Sequence, residues 1–160
     1  MEIRFLKESD ITFKEWVHQS FIKIREIEEA ILDSETSAKI KRDIEWAIDI
    51  NNTWDNILVC LNKEKIVGYC WFLKQRQVPY GGRSYGNESQ PYIWVHSIYT
   101  DPQFSRKGVA TMLYDKLEEI AKSQNIKKIR LDIIPKNVIS EKFRYKMGYN
   151  KEVMIFSKEI

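Results

Sequence analysis

The stretch that most constrains this chain runs from Tyr92 to Ser123, where an apolar strand, a short basic turn and a helix follow without a spacer. Tyr92-Ile93-Trp94-Val95-His96-Ser97-Ile98-Tyr99 is dense in β-branched and aromatic residues. Pro91 precedes it and Thr100-Asp101-Pro102 closes it, so it reads as a strand with defined ends. Ser105-Arg106-Lys107-Gly108-Val109-Ala110 forms the turn. Beyond it Val109, Met112, Leu113, Leu117, Ile120 and Ala121 share one helical stripe, and Asp115, Glu118, Glu119 and Lys122 lie off it.

A basic, glycine-containing turn that opens a helix is a device for holding an anion. The first turn of a helix leaves about four N–H groups without intrahelical partners, and the macrodipole adds about half a positive charge there. Gly108 lets the backbone approach a phosphate with no Cβ in the way, while Arg106 and Lys107 add charge. The same residues also suit an ordinary strand-to-helix turn with solvated basic side chains, so the turn alone leaves both readings open.

The turn and its flanks, Ile98 through Ala110, resemble motif A of the GNAT superfamily of acetyl-CoA-dependent N-acetyltransferases, which ends in a Gln/Arg-x-x-Gly-x-Gly/Ala turn. Gly108 and Ala110 are in place, and Ser105 stands where Gln or Arg is usual. Downstream, Asn137, Phe143, Lys146, Gly148 and Tyr149 resemble motif B at the family's spacing.

The remaining chain agrees with that order. Glu2 to Leu6 reads as an edge strand, and Ser9 or Asp10 caps a helix carrying Phe13, Trp16, Val17, Ile24, Ile27 and Ile31. A second amphipathic helix, begun at Ser34, runs to about Ile50, and Trp16 and Trp46 suit packing positions. Ile57 to Leu61 and Ile66 to Leu73 form a hairpin, in which Gly68 marks a bulge or a close approach by another group. Arg76 to Gln90 is a glycine-rich loop placed to close over an acceptor, or simply a loose connection. Ile126 to Ile134 is a strand, and Asn137 or Ser140 starts a helix that Gly148 terminates in the left-handed conformation. Tyr149 to Lys158 is a last strand. The resemblance implies a single α/β (α+β) domain over 1–160: a mixed, mostly antiparallel sheet of about six or seven strands with helices on both faces.

Composition sets the outer bounds. With 26 basic and 23 acidic residues the net charge is only +3, and the basic residues are spread, which argues against nucleic acid. No apolar run approaches the roughly 18 residues of a membrane helix, and no signal peptide opens the chain, so a cytoplasmic protein without a membrane partner is expected. Cys60 and Cys70 fall in strands and read as reduced, buried, structural thiols rather than metal ligands.

What the resemblance implies is an enzyme that moves an acetyl group from acetyl-CoA to a primary amine, of a small molecule or of a peptide or protein. The backbone N–H groups from Arg106 to Ala110, with Ser105 at the turn's start, would hold the pyrophosphate. The pantetheine arm would pair with exposed backbone of Ile98 and Thr100, an amide near Ile98 or Tyr99 would polarise the thioester carbonyl, and Asn137 would hydrogen-bond the arm.

His96 is the first candidate base. An ordinary imidazole titrates near 6.5, and strand alternation from His96 puts it on the face of Ile98 and Thr100. A packed structural histidine is the competing reading; Glu88 is the second candidate base, and His18 suits surface or packing. Many family members carry a thiolate-protonating tyrosine seven residues after the motif B asparagine. Here that position is Arg144, and Tyr145 lies about 100° further round the helix. Three routes stay open: Tyr145 reaches the sulfur, Arg144 stabilises it by charge, or it leaves unaided. The alternative function is a catalytically impaired coenzyme-binding or interaction module, suggested by Ser105 and Arg144. A homodimer is compatible with the resemblance.

Overall fold

The computed structural model describes residues 1–7, 9–29, 56–75, 91–133 and 137–152. The expected second helix with Trp46, the 76–90 segment with Glu88, Pro135 and most of the last strand lie outside the described residues, as does the side chain of His18.

Five strands form one sheet among the described residues, in the order β1 (Glu2–Phe5), β2 (Ile57–Asn62), β3 (Lys65–Gln75), β4 (Tyr92–Thr100) and β5 (Ile129–Leu131). All neighbours are antiparallel except β4 and β5, which are parallel. Helix α1 (Ile11–Glu29) covers one face, while α2 (Val109–Ser123) and α3 (Val138–Lys146) cover the other. Period-2 alternation divides the sheet cleanly: Ile57, Val59 and Leu61 pack with Val17 and Phe21 of α1, and Leu58 and Cys60 pack with Val109, Leu113 and Leu117 of α2. Both cysteines are free and buried, as expected. No helix among the described residues is long and apolar enough to cross a membrane.

Helix α1 begins directly after Asp10, one of the two expected caps, whose carbonyl accepts from the Lys14 amide. Asp10 turns its carboxylate back to Arg4 at 2.7 Å and to the Lys7 amide at 2.8 Å, and so braces β1 against the entry to α1.

Gly68 is both of the things a strand glycine suggests. The β2–β3 register slips beside it, and a Cβ on it would lie 2.6 Å from Val109 Cγ1 and 2.8 Å from the Tyr99 carbonyl oxygen. Its bare backbone therefore lets the first residue of α2 seat directly on the sheet.

β5 is shorter than the predicted Ile126–Ile134 strand, because the end of α2 consumes its first residues. Asn125 takes φ +54°, its amide donates to Lys122 O, and the Ile126 amide reaches Ala121 O at 2.8 Å. That left-handed cap spends Ile126 on helix termination and buries it. α3 ends the same way at Gly148, φ +84°, with the Tyr149 amide on Arg144 O at 3.0 Å. The glycine terminator stands as expected.

Candidate active site

The site is built around a fault in β4. β5 pairs with β4 only at Ile93, Trp94 and Val95, and beyond Val95 that edge of β4 has no partner among the described residues. On its other edge β4 stays paired with β3, but Trp71 lies opposite Ser97 while Phe72 lies opposite Val95. His96 is thus the extra residue of a β-bulge. The bulge resets which backbone groups face outward. Ile93 donates to Lys128 O, on the β5 side, and Asp101 donates to Val67 O, on the β3 side. Counting back by alternation from Asp101, Ser97 and Tyr99 turn their amides to β3, and Ile98 and Thr100 turn theirs to the open edge. Of the two amides expected to polarise a carbonyl, Ile98's is the one facing the opening.

Side chains are reset as well. Ile98 packs with Val95 and Val109 on the α2 face, and Thr100 sits opposite Gly68 on that face. His96 instead stacks on Trp71, a residue of the α1-face core, at 4.9 Å between ring centres and 26°. His96 therefore does not share a face with Ile98 and Thr100, as unbroken alternation would require. Nearby Ser97 Oγ and Tyr69 OH lie 3.0 Å apart, and Trp16, Tyr69 and Tyr99 form an aromatic cluster with ring centres 5.8–6.5 Å apart. Burial lowers the His96 pKa, partly opposed by the charge of Asp132, so the imidazole is neutral near pH 7. Its Nε2 is buried and has no hydrogen-bond partner among the described residues.

At the far end of β4 the chain turns through a short 3-10 segment, Pro102–Phe104, capped by Asp101, which accepts from the Gln103 amide at 2.9 Å. Arg106 at φ +60° and Gly108 at φ +83° then aim the backbone into α2. Among the described residues, no acceptor takes the amides of Arg106, Gly108, Val109, Ala110 or Thr111, whereas Met112 donates to Gly108 O. Two amides of the expected set are already engaged, Ser105 to Pro102 O at 3.1 Å and Lys107 to Phe104 O at 3.3 Å, so these two residues have only exposed side chains to offer. Lys107 Nζ lies 4.8 Å from the Phe104 ring centre, and Lys65 Nζ lies 6.0 Å from the same ring. The result is a positively charged nest at a helix start, at the mouth of the open β4 edge. Phe104 and Lys65 have no motif spacing that would have singled them out.

α3 supplies the third part. Asn137 caps it, its Oδ1 accepting from the Ser140 amide at 3.1 Å, which leaves its NH₂ group to donate elsewhere. Tyr145 is on the outer side, 49% exposed, with its hydroxyl donating to Glu141 at 3.4 Å. Arg144 is turned inward, 8% exposed, with its guanidinium 4.8 Å from the Tyr114 ring centre and 5.4 Å from that of Phe143. Tyr114 was absent from the expected apolar stripe yet is fully buried, because its ring meets those of Phe143 and Tyr149. Among the described residues, then, the open β4 edge leads through the nest into α2, Phe143 on the inner side of α3 packs against the same cluster as Ile98, and the Tyr145 hydroxyl lies on the outer side.

Residues 14–149 match the model of the acetyltransferase (GNAT) family. The chain is 35% identical over 77 residues to aminoglycoside N(6')-acetyltransferase type 1 of Acinetobacter haemolyticus, a match covering 47% of this chain and 53% of that protein. It is 27% identical over 75 residues to the enzyme of that name from Salmonella typhimurium, covering 46% and 52%. The matched region spans about half the length of these curated relatives. Among solved structures, the chain superposes on the apo aminoglycoside 6'-N-acetyltransferase AAC(6')-Ig of Acinetobacter haemolyticus with a TM-score of 0.61 at 22% identity, covering 100% of this chain and 99% of that one. It superposes on AAC(6')-Iy in complex with the bisubstrate analog CoA-S-monomethyl-acetylneamine with a TM-score of 0.60 at 17% identity, covering 99% and 97%. At these identities the structural likenesses establish the fold.

Proposed function

The chain belongs to the acetyltransferase (GNAT) family, and from that premise we propose that it transfers an acetyl group from acetyl-CoA to the primary amine of a small molecule, by direct attack in a ternary complex. The observation that carries this reading is the conjunction of the unaccepted amides between Arg106 and Thr111 with the open edge of β4 at Ile98 and Thr100. A diphosphate matches the first and an amide-bearing arm, laid as an added strand, matches the second. When bound, the coenzyme supplies an activated thioester carbonyl.

The residues divide the work as follows. The amides of Arg106, Gly108, Val109 and Ala110, with the side chains of Ser105, Arg106 and Lys107, hold the diphosphate. Asn137 donates to the arm. The Ile98 amide stabilises negative charge on the carbonyl oxygen, the role of an oxyanion hole. His96, neutral and partly buried at the bulge, takes the proton that the attacking amine gives up. A small-molecule acceptor agrees with the aminoglycoside acetyltransferases that the chain resembles, and the aromatic wall of Trp16, Tyr69 and Tyr99 stands on the same face as His96.

Calorimetric titration with acetyl-CoA is the first test: saturable binding is expected, and no heat at high micromolar ligand would remove the coenzyme assignment. Release of free CoA across a panel of amines, one of them an aminoglycoside with a 6'-amine, is the second. Binding without turnover on every acceptor would favour the impaired-module reading, to which the position of Arg144 in place of a hydroxyl lends its weight.

A further inference from the structure

Arg144 is a buried cation that meets no anion among the described residues. Among the described residues no carboxylate or other hydrogen-bond acceptor faces its guanidinium, and its Nε is buried and unpartnered. The groups packed around it are Tyr114 of α2, Phe143 of its own helix, and Tyr149, which the Gly148 cap folds back so that its amide meets Arg144 O. The titratable groups within its electrostatic reach are Cys70 of β3, Tyr114 and Tyr149, with Glu118 of α2 acting on Tyr149 from further out. Burial keeps all three neighbouring acids neutral, and it pushes the Cys70 thiol up to about 12. A guanidinium among neutral aromatic rings forfeits its hydration for only a cation–π return, an arrangement that costs stability unless an anion completes it. Arg144 also lies beside the right strand position: Cys70 is directly opposite Ile98, and Ile98 packs in the same cluster as Phe143 and Tyr149.

We propose that Arg144 supplies the fixed positive charge that receives the sulfur when the thioester opens, in place of a proton-donating hydroxyl. This rests on the acetyl-CoA reading above. In the step, the bond from amine nitrogen to carbonyl carbon forms and the carbon–sulfur bond breaks. Sulfur keeps the electron pair, and the amine proton passes to His96 and on to water. No proton need reach sulfur inside the protein, so the outward position of Tyr145 is no obstacle.

The test is the ionisation of free CoA bound to the full chain, followed by thiolate ultraviolet absorbance against pH. The chain's own cysteines are silent near neutrality because burial raises both. Bound CoA is expected to ionise about 1 to 3 pH units below CoA free in the same buffer. Arg144→Lys is expected to retain part of that displacement, and Arg144→Met to abolish it while still binding CoA and melting at or above the wild-type temperature. A bound thiol that ionises as it does in solution, or a displacement that survives Arg144→Met, overturns the proposal and leaves the acetyl-CoA reading standing. CoA that does not bind at all overturns both. Should Arg144→Met not fold, the wild-type and Arg144→Lys titrations still decide.

Discussion

The two halves of β4 are one continuous strand held in opposite ways. From Tyr92 to Val95 every residue is buried, and from Ile93 to Val95 the strand is paired on both edges. From His96 to Thr100 every residue is partly exposed and β5 no longer pairs with it. The first half is scaffold; the second has one edge without a partner among the described residues. The bulge at His96 is the joint between them, and it presents one histidine to the α1 face while the amides of Ile98 and Thr100 face the opening. A paired strand satisfies its own backbone, whereas a half-paired one leaves backbone groups for a ligand.

The comparison breaks most directly at the joint. His96→Ala should lower turnover about 10²- to 10⁴-fold while leaving acetyl-CoA affinity within a few-fold, since the change removes the proposed proton acceptor and no proposed coenzyme contact. Steady-state rates beside calorimetric titration separate the two. Equal loss of affinity and rate would make His96 a packing residue. The next largest effect is expected at Gly68. An added methyl meets Val109 Cγ1 at 2.6 Å and the Tyr99 oxygen at 2.8 Å. Gly68→Ala must therefore lift the start of α2 from the sheet, at about 1 to 3 kcal/mol in denaturant melts and about tenfold in acetyl-CoA affinity.

Gly108→Ala sharpens the contrast between strain and crowding. Nothing lies within 4 Å of a Cβ at that position, but φ is +83°, so only conformational strain opposes the substitution. A loss of about 1 to 2 kcal/mol is expected, smaller than or equal to that at Gly68. Coenzyme affinity should fall only as far as the nest relaxes. A Gly68→Ala protein more stable than Gly108→Ala would mean that the close seat of α2 on β3 is not what holds the nest in place.

The scaffold half of this picture was legible in the chain and the joint was not, for a physical reason. Strand ends, helix caps and glycine positions announce themselves through local chemistry: Pro91 and Pro102, Asn137, the terminator Gly148 and the close-approach Gly68 all act within a few residues of themselves. The bulge does not. Trp94 and Tyr99 are as apolar as Ile93 and Ile98, so the hydrophobic pattern carries no parity that an inserted residue could disturb, and the face of His96 could not be read. Arg144 is similar. An arginine on a short helix looks solvated until the aromatic ring of Tyr114, thirty residues away in sequence, closes over it together with Phe143. The shortness of β5 follows from Asn125 adopting a left-handed cap, and nothing in Ile126-Lys127-Lys128 distinguishes a strand start from a helix exit.

The smallest expected effect lies in the pH dependence of stability, and it tests the burial of His96 without reference to any ligand. Burial lowers its folded pKa below the ordinary value, so between the two values the unfolded chain binds a proton that the folded chain refuses. Stability should therefore fall as pH drops through about 6.5 and level off once the folded imidazole is also protonated; above that window His96 contributes no slope. The Asp10–Arg4 pair acts in the same direction but elsewhere, because its carboxylate is held below the usual range and its contribution is lost only as pH falls through the acid range. Chemical melts of wild type and His96→Gln between pH 7.5 and 5 isolate the histidine. The difference between the two proteins should change across the window and stay constant above it. A difference that is flat throughout would put the imidazole in water, unstacked from Trp71, and with it would go the rigid joint that separates the closed half of β4 from the open one.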